Sequence, residues 1–260
     1  MSLFDINSVR VIGRYFINIF SKLGDAFIFL IQSLYHCFVP PYYFNNIVKQ
    51  IVEIGFFSLP IVGLTGISVG AVIVLQSSLS GISINQEQII PKIVTITIIK
   101  ELGPVLISLI MIGKAGSSIA AEIGTMRITE QIDALTTLNI NPFKYLIAPR
   151  ILASVAVFPM FTICADLIGI FGGCITAIIE FNQNLNVYIK YTIKFFDTYD
   201  FIVGLAKSAV FGAIISVSSC YYGYHCQEGA RGVGVATTST VVLSSILIIF
   251  TNYMITLIYA

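Results

Sequence analysis

Residues 89–123 read IIPKIVTITIIKELGPVLISLIMIGKAGSSIAAEI, and this stretch decides the fold. It is almost wholly apolar, yet carries Lys92, Lys100, Glu101, Lys114 and Glu122. At 1.5 Å per residue, such a helix is about 52 Å long, against a hydrocarbon core of roughly 30 Å. Lys92 and Glu122 can therefore sit outside the core, whereas Lys100, Glu101 and Lys114 cannot all escape it. Ionisable groups at that depth face protein or water rather than lipid. Pro104 follows Glu101 by three residues and predicts a kink, or a freed carbonyl near the carboxylate.

The rest of the 260 residues has the same character. Only 10% are charged and 57% are hydrophobic, where soluble domains carry about 25% charged residues. With a mean hydropathy of +0.92, the chain cannot clothe a water-exposed exterior, which excludes a freely soluble protein. The net charge of +1 supplies no basic patch for phosphates, so no nucleic-acid partner is expected. The 46 isoleucines against 17 alanines suggest A+T-rich codons. Met1 to Ile12 lacks the basic, apolar and small-residue order of a cleavable signal.

Further apolar runs predict spans at about 54–76, 151–179, 201–224 and 233–259, beside the one at 89–123. Gly66/Gly70 and Gly169/Gly173 stand at GxxxG spacing and are read as packing faces, not lipid contacts. Asp166 is read as structural. Ser77 to Gln88 and Phe181 to Asp200 are read as loops. Residues 5–36 repeat Val9, Ile12, Phe16, Ile19, Leu23, Phe27, Leu30 and Leu34 on one face. Their longest charge-free part, Ala26 to Val39, is too short to cross, so an interfacial helix is expected before the turn at Pro40-Pro41. The expected fold is all-α: a polytopic membrane protein with five transmembrane helices after an interfacial amphipathic helix, divided into units 1–44 and 45–260.

With the N-terminus inside, Arg10, Arg14, Lys22, Lys49, Arg127, Lys144, Arg150 and Arg231 lie inside, against Lys92, Lys190 and Lys194 outside. The C-terminus then lies outside. On the inner side, the stretch between Gly124 and Tyr145 predicts a short amphipathic helix of about ten residues, ended by Asn139-Ile140-Asn141-Pro142. Thr129 is its expected cap, Glu130 and Asp133 lie in its first turn, and Ile132, Leu135 and Leu138 form a stripe.

Catalytic patterns are missing. Gly113-Lys114 resembles the tail of a P-loop, but Ser108 and Ala115 stand where Gly and Ser/Thr are needed. Two histidines leave little room for a nucleophilic triad. The five cysteines show neither a C-x-x-C pair nor zinc spacing, and no metal or other cofactor is expected.

Lys100-Glu101-Leu102-Gly103-Pro104, Gly113-Lys114-Ala115-Gly116-Ser117, Ala121 to Leu135, Asn141 to Leu146 with Pro149-Arg150, and Gly229 to Gly234 occur in order. Together they resemble the MlaE family of ABC-transporter permeases, over about residues 45–260. The isoleucine bias and short chain look most like the plastid-encoded members of red algae. The resemblance implies a non-catalytic homodimeric permease paired with an ABC ATPase subunit and an MCE-type lipid-binding protein, moving phospholipid or a related polar lipid. It implies a plastid inner envelope, or otherwise a bacterial inner membrane.

The family's coupling helix falls at about 125–138. Arg127, Glu130, Ile132, Asp133, Leu135 and Leu138 are therefore expected to meet the ATPase. The family's lipid cavity lies near Lys100, Glu101 and Pro104. For Glu101, a head-group contact and a structural pair with Lys207 or another cation are both open. A rival reading is an ion- or proton-coupled secondary transporter with Lys100, Glu101 and Asp166 as a relay.

Overall fold

The computed structural model describes residues 3–79, 86–227 and 229–259, which contain helices and turns but no strand. Five stretches are long and apolar enough to cross a membrane: Phe44–Ser77, Gln88–Ile128, Phe143–Phe181, Thr198–Tyr224 and Ala230–Tyr259. The all-α, five-span architecture expected from the sequence is present, with a shorter apolar helix, Leu23–Phe38, at the N-terminus.

The first three spans extend further than expected, because charges read as span ends are paired within helices. Helix α1 (Leu3–Phe38) is followed by α2 (Phe44–Gly55), which continues through a 3-10 turn, Phe56–Ser58, into α3 (Leu59–Leu79). Lys49 and Glu53, which lie just before the expected start at residue 54, face each other one turn apart in α2 at 3.8 Å. At the third span, Arg150 is buried and meets Glu122 at 2.9 Å. The Lys144 ammonium donates to the Pro40 carbonyl at 3.0 Å.

The second span is α4 (Gln86–Thr97), a π-turn (Ile98–Leu102), α5 (Gly103–Met111), a second π-turn (Ile112–Gly116) and α6 (Ser117–Ile128). Pro104 does not break it. It falls in the first turn of α5, where a missing N–H is tolerated. Each π-turn inserts an extra residue and rotates the following faces by about 100° relative to an unbroken helix.

The third span runs through a π-turn at Phe143–Ile147 into α8 (Ala148–Phe181), which packs against α2 and α3. The two glycine stripes meet face to face. A Cβ on Gly70 would lie 1.8 Å from the Gly169 carbonyl oxygen, and one on Gly172 2.7 Å from that of Ile67. The expected packing role of these stripes is what the geometry gives. Helix α10 (Thr198–Tyr224) covers the other side of α8, and α11 (Ala230–Tyr259) packs on α10 and the second span. Span α11 is the least enclosed: 11% of its most apolar window is buried, against 33–50% for the others.

The segment after α8 is not simply a loop. Asn182 turns the chain with φ +50°, the Asn184 side chain accepts from the Asn186 N–H, and α9 (Leu185–Phe195) follows. The expected loop at 77–88 is shortened to helix ends, and its residues 80–85 lie outside the described ones.

In α1, Phe29, Ser33 and Cys37 face the bundle at helical spacing while Leu23 and Phe27 are exposed. The Phe29 ring packs on Phe143, Tyr221, Tyr224 and His225, fixing α1 across one end of the bundle. The side chains of Val9, Ile12, Phe16 and Ile19 lie outside the described ones.

Candidate functional site

A buried polar cluster joins spans two, four and five. Lys207 on α10 is 1% exposed. Its ammonium donates to Glu101 Oε1 at 2.9 Å, to Thr256 Oγ1 at 2.8 Å and to the Lys100 carbonyl at 3.3 Å. Pro104 has no N–H to offer the carbonyl four residues back, which is that of Lys100; the lysine takes its place. The expected freed carbonyl is therefore found. Glu101 also accepts from Asn252 Nδ2 at 3.1 Å through Oε2 and from the Thr256 hydroxyl at 3.1 Å through Oε1. An ammonium with three acceptors and a carboxylate with three donors are both well served, as charges removed from water must be.

The Lys207 pairing raised for Glu101 is thus present. The carboxylate side chain nevertheless remains 33% exposed, opening beside the poorly enclosed α11. Lys100, on the adjacent face, bridges to Asp200 at 3.5 Å. Pro104 is buried, with Gly204 of α10 packed beside it.

Asn252 and Thr256 were missed by sequence reading. Their signal is a polar pair at i and i+4 in an otherwise uncharged span.

The other membrane-depth ions are separate. The Lys114 ammonium donates to the Phe57 carbonyl. It lies in a cavity of about 80 Å³ bordered by Gln50, Glu53 and Glu122. Asp166 is buried against Gly103, and its Oδ1 has no hydrogen-bond partner in the chain. Among the described residues, no hydrogen bond or ion pair links Asp166 to Lys100 or Glu101.

At the other end of the second span, α6 stops at Ile128 and a turn leads into α7 (Gln131–Thr137). This helix has seven residues rather than about ten, and Thr129 does not cap it. The Thr129 hydroxyl instead donates back to the Thr125 carbonyl at 2.8 Å, and Glu130 takes the N-cap position with φ +59°. Arg127 reaches across the turn to Asp133 at 2.7 Å and lies 5.8 Å from the Tyr224 ring centroid.

The apolar stripe divides between two tasks. Ile132 is buried in the chain's own core and unavailable for docking, a correction to its expected role. Leu135 is half-buried and Leu138 is 70% exposed. Glu130, Asp133 and Leu138 therefore face outward, with Ile132 as the anchor that holds α7 on the bundle.

Residues 47–258 match the family described as Permease MlaE. A probable ABC transporter permease protein of Rickettsia bellii is 43% identical over 251 residues, covering 96% of this chain and 97% of its own. The intermembrane phospholipid transport system permease protein MlaE of Haemophilus influenzae is 30% identical over 255 residues, with 96% and 97% covered. A probable ABC transporter permease protein of the red alga Pyropia yezoensis is 35% identical over 210 residues, covering 81% and 80%. With matches collinear over nearly all of its length and five membrane-crossing helices, this chain belongs to the MlaE family of ABC-transporter permeases.

Proposed function

We propose that the chain is the membrane subunit of an ATP-driven transporter moving phospholipid or a related polar lipid between membranes, through a permease unit over 45–260 preceded by the amphipathic segment 1–44. The observation that carries this reading is the α6–α7 turn. It presents Glu130, Asp133 and Leu138 at one end of the bundle, while Ile132 ties it to the core. A separate ABC ATPase supplies hydrolysis, its surface receiving Leu138 and pairing basic groups with Glu130 and Asp133. Movement of the turn is transmitted along α6 to the second span, repacking spans about a lipid cavity.

The poorly enclosed α11, beside the partly open Glu101 carboxylate, favours a homodimer with that cavity between protomers, near Lys100, Glu101 and Pro104. An MCE-type protein exchanges lipid at the outer side. The name of the Haemophilus relative supports phospholipid as cargo. Kinship with a red algal protein and with bacterial proteins supports a plastid inner envelope or a bacterial inner membrane.

The test is purification of the full chain in mild detergent. An ATPase is expected to accompany it, and reversal of Glu130 and Asp133 together weakens that association. Arg127→Gln, which breaks the Arg127–Asp133 pair while keeping both acids, serves as the comparison. A chain that purifies alone, unaffected by the double reversal, refutes the coupling assignment.

A further inference from the structure

Helix α9 sits at the end of the bundle that also holds Lys92, and nothing in the transport reading uses it. Eleven residues span about 16 Å, far short of the hydrocarbon core, so α9 lies along a surface rather than crossing. Its Leu185, Ile189 and Ile193 form one continuous arc at four-residue spacing, exposed by 48%, 45% and 69%. Three large aliphatic side chains in a row on a helix flanking membrane spans mark a face lying in lipid. The helix is pinned next to this arc: Tyr188 is 1% exposed, and its hydroxyl donates to the Ile170 carbonyl at 3.4 Å. Between this arc and Leu167, Ile170 and Phe171 of α8 runs an open groove of about 380 Å³.

Cations border the arc. At about 100° per residue, Lys190 and Lys194 follow Ile189 and Ile193 around the helix. The Lys194 ammonium lies 5.8 Å from the Tyr191 ring centroid and 5.7 Å from that of Phe195, whose ring also carries Lys92 at 5.2 Å. None of these three lysines has an ion-pair partner among the described residues. The acids that follow α9 are engaged elsewhere: Asp197 accepts from the Tyr199 N–H, and Asp200 bridges Lys100. An aliphatic arc with an apolar groove beside it, flanked along one edge of the helix by the exposed Lys190 and Lys194, has the polarity of a single lipid with an anionic head group.

We propose that α9 and α8 form a binding site for an anionic lipid of the outer leaflet, with its phosphate at Lys190 and Lys194 and an acyl chain in the groove. This site is separate from the Glu101 cluster and would stand whatever the cargo is. The lipid fills the gap between α9 and the third span at the membrane surface.

The full-length protein, exchanged into mixed phosphatidylglycerol and phosphatidylcholine, is examined by native mass spectrometry. The wild type retains phosphatidylglycerol in preference. Near an anionic surface, each lysine contributes about a fivefold gain, so K190Q/K194Q lowers that preference roughly 25-fold. Ile193→Asn lowers retention of both lipids. All three side chains are exposed, so thermal stability stays unchanged and verifies folding. Inorganic phosphate does not displace the lipid, because the groove holds its chain. An unchanged preference in K190Q/K194Q, displacement by phosphate, or loss of an accompanying protein instead of lipid each overturns the proposal.

Discussion

Replacing Gly70 by alanine tests the packing of the first span on the third. The new Cβ would lie 1.8 Å from the Gly169 carbonyl oxygen, 2.7 Å from its carbon and 2.9 Å from the Gly173 nitrogen. All three are backbone atoms, so no side chain can rotate away. Reaching even the 3.0 Å that real Cβ contacts respect moves α3 from α8 by about 1.2 Å. A gap of 0.5–1 Å already forfeits roughly a quarter to a half of each dispersion contact, and overpacking costs about 1–3 kcal/mol. In lipid, where packing rather than water exclusion holds helices together, Gly70→Ala falls at the upper end of that range.

Gly63 lies about two turns earlier on α3. A Cβ there meets only the Ile168 Cδ1, at an ordinary 3.6 Å. Gly63→Ala therefore keeps the gain of up to about 1 kcal/mol that alanine has over glycine in a helix. Thermal denaturation followed by fluorescence-detected size exclusion compares the two variants. Gly70→Ala melts well below the wild type and Gly63→Ala at or above it. Coincident melting of Gly70→Ala and the wild type would refute the backbone approach described here.

Glu101→Ala strands the buried Lys207 ammonium and costs about 3–5 kcal/mol, whereas Glu101→Leu with Lys207→Met recovers most of the loss; a double-mutant cycle on melting measures both. Arg127→Asp loosens the α6–α7 turn, and adding Asp133→Arg restores it. Because both groups are exposed, the effect stays below about 1 kcal/mol and is read as hydrogen exchange at 128–131. Gly229 has φ +86° with open space around it, so Gly229→Ala costs about 1–2 kcal/mol of backbone strain alone, measured against Gly234→Ala, which has the same open space and ordinary φ.

The spans were legible because a run such as Ile54 to Gln76 admits one physical reading. Their ends were not, since Lys49, Glu53 and Arg150 look like flanks until their partners are known. Lys207 could be named as a partner for Glu101 because it is the single charge of its span. Asn252 and Thr256 carry no charge, and only the register of α11 against α10 brings them to the carboxylate. Ile132 looked like a docking residue because helical spacing tells which residues share a face, not which way the face turns. Helix α9 was hidden by Lys190, Lys194 and its aromatics, which read as loop although Leu185, Ile189 and Ile193 keep the period.

The slight enclosure of α11 also has a consequence for biogenesis. In chain order, the polar cluster is supplied first by Glu101, then by Lys207, and last by Asn252 and Thr256. When the first four spans have entered the bilayer, the acid and ammonium already hold each other, but the carboxylate's remaining lone pairs face outward. The final span then arrives as a closing piece, seating Ala236, Thr240, Ser244 and Ile248 on the bundle and bringing two polar side chains to the carboxylate. A chain that stops before Ala230 leaves the Glu101 carboxylate without the Asn252 and Thr256 donors that complete its shell.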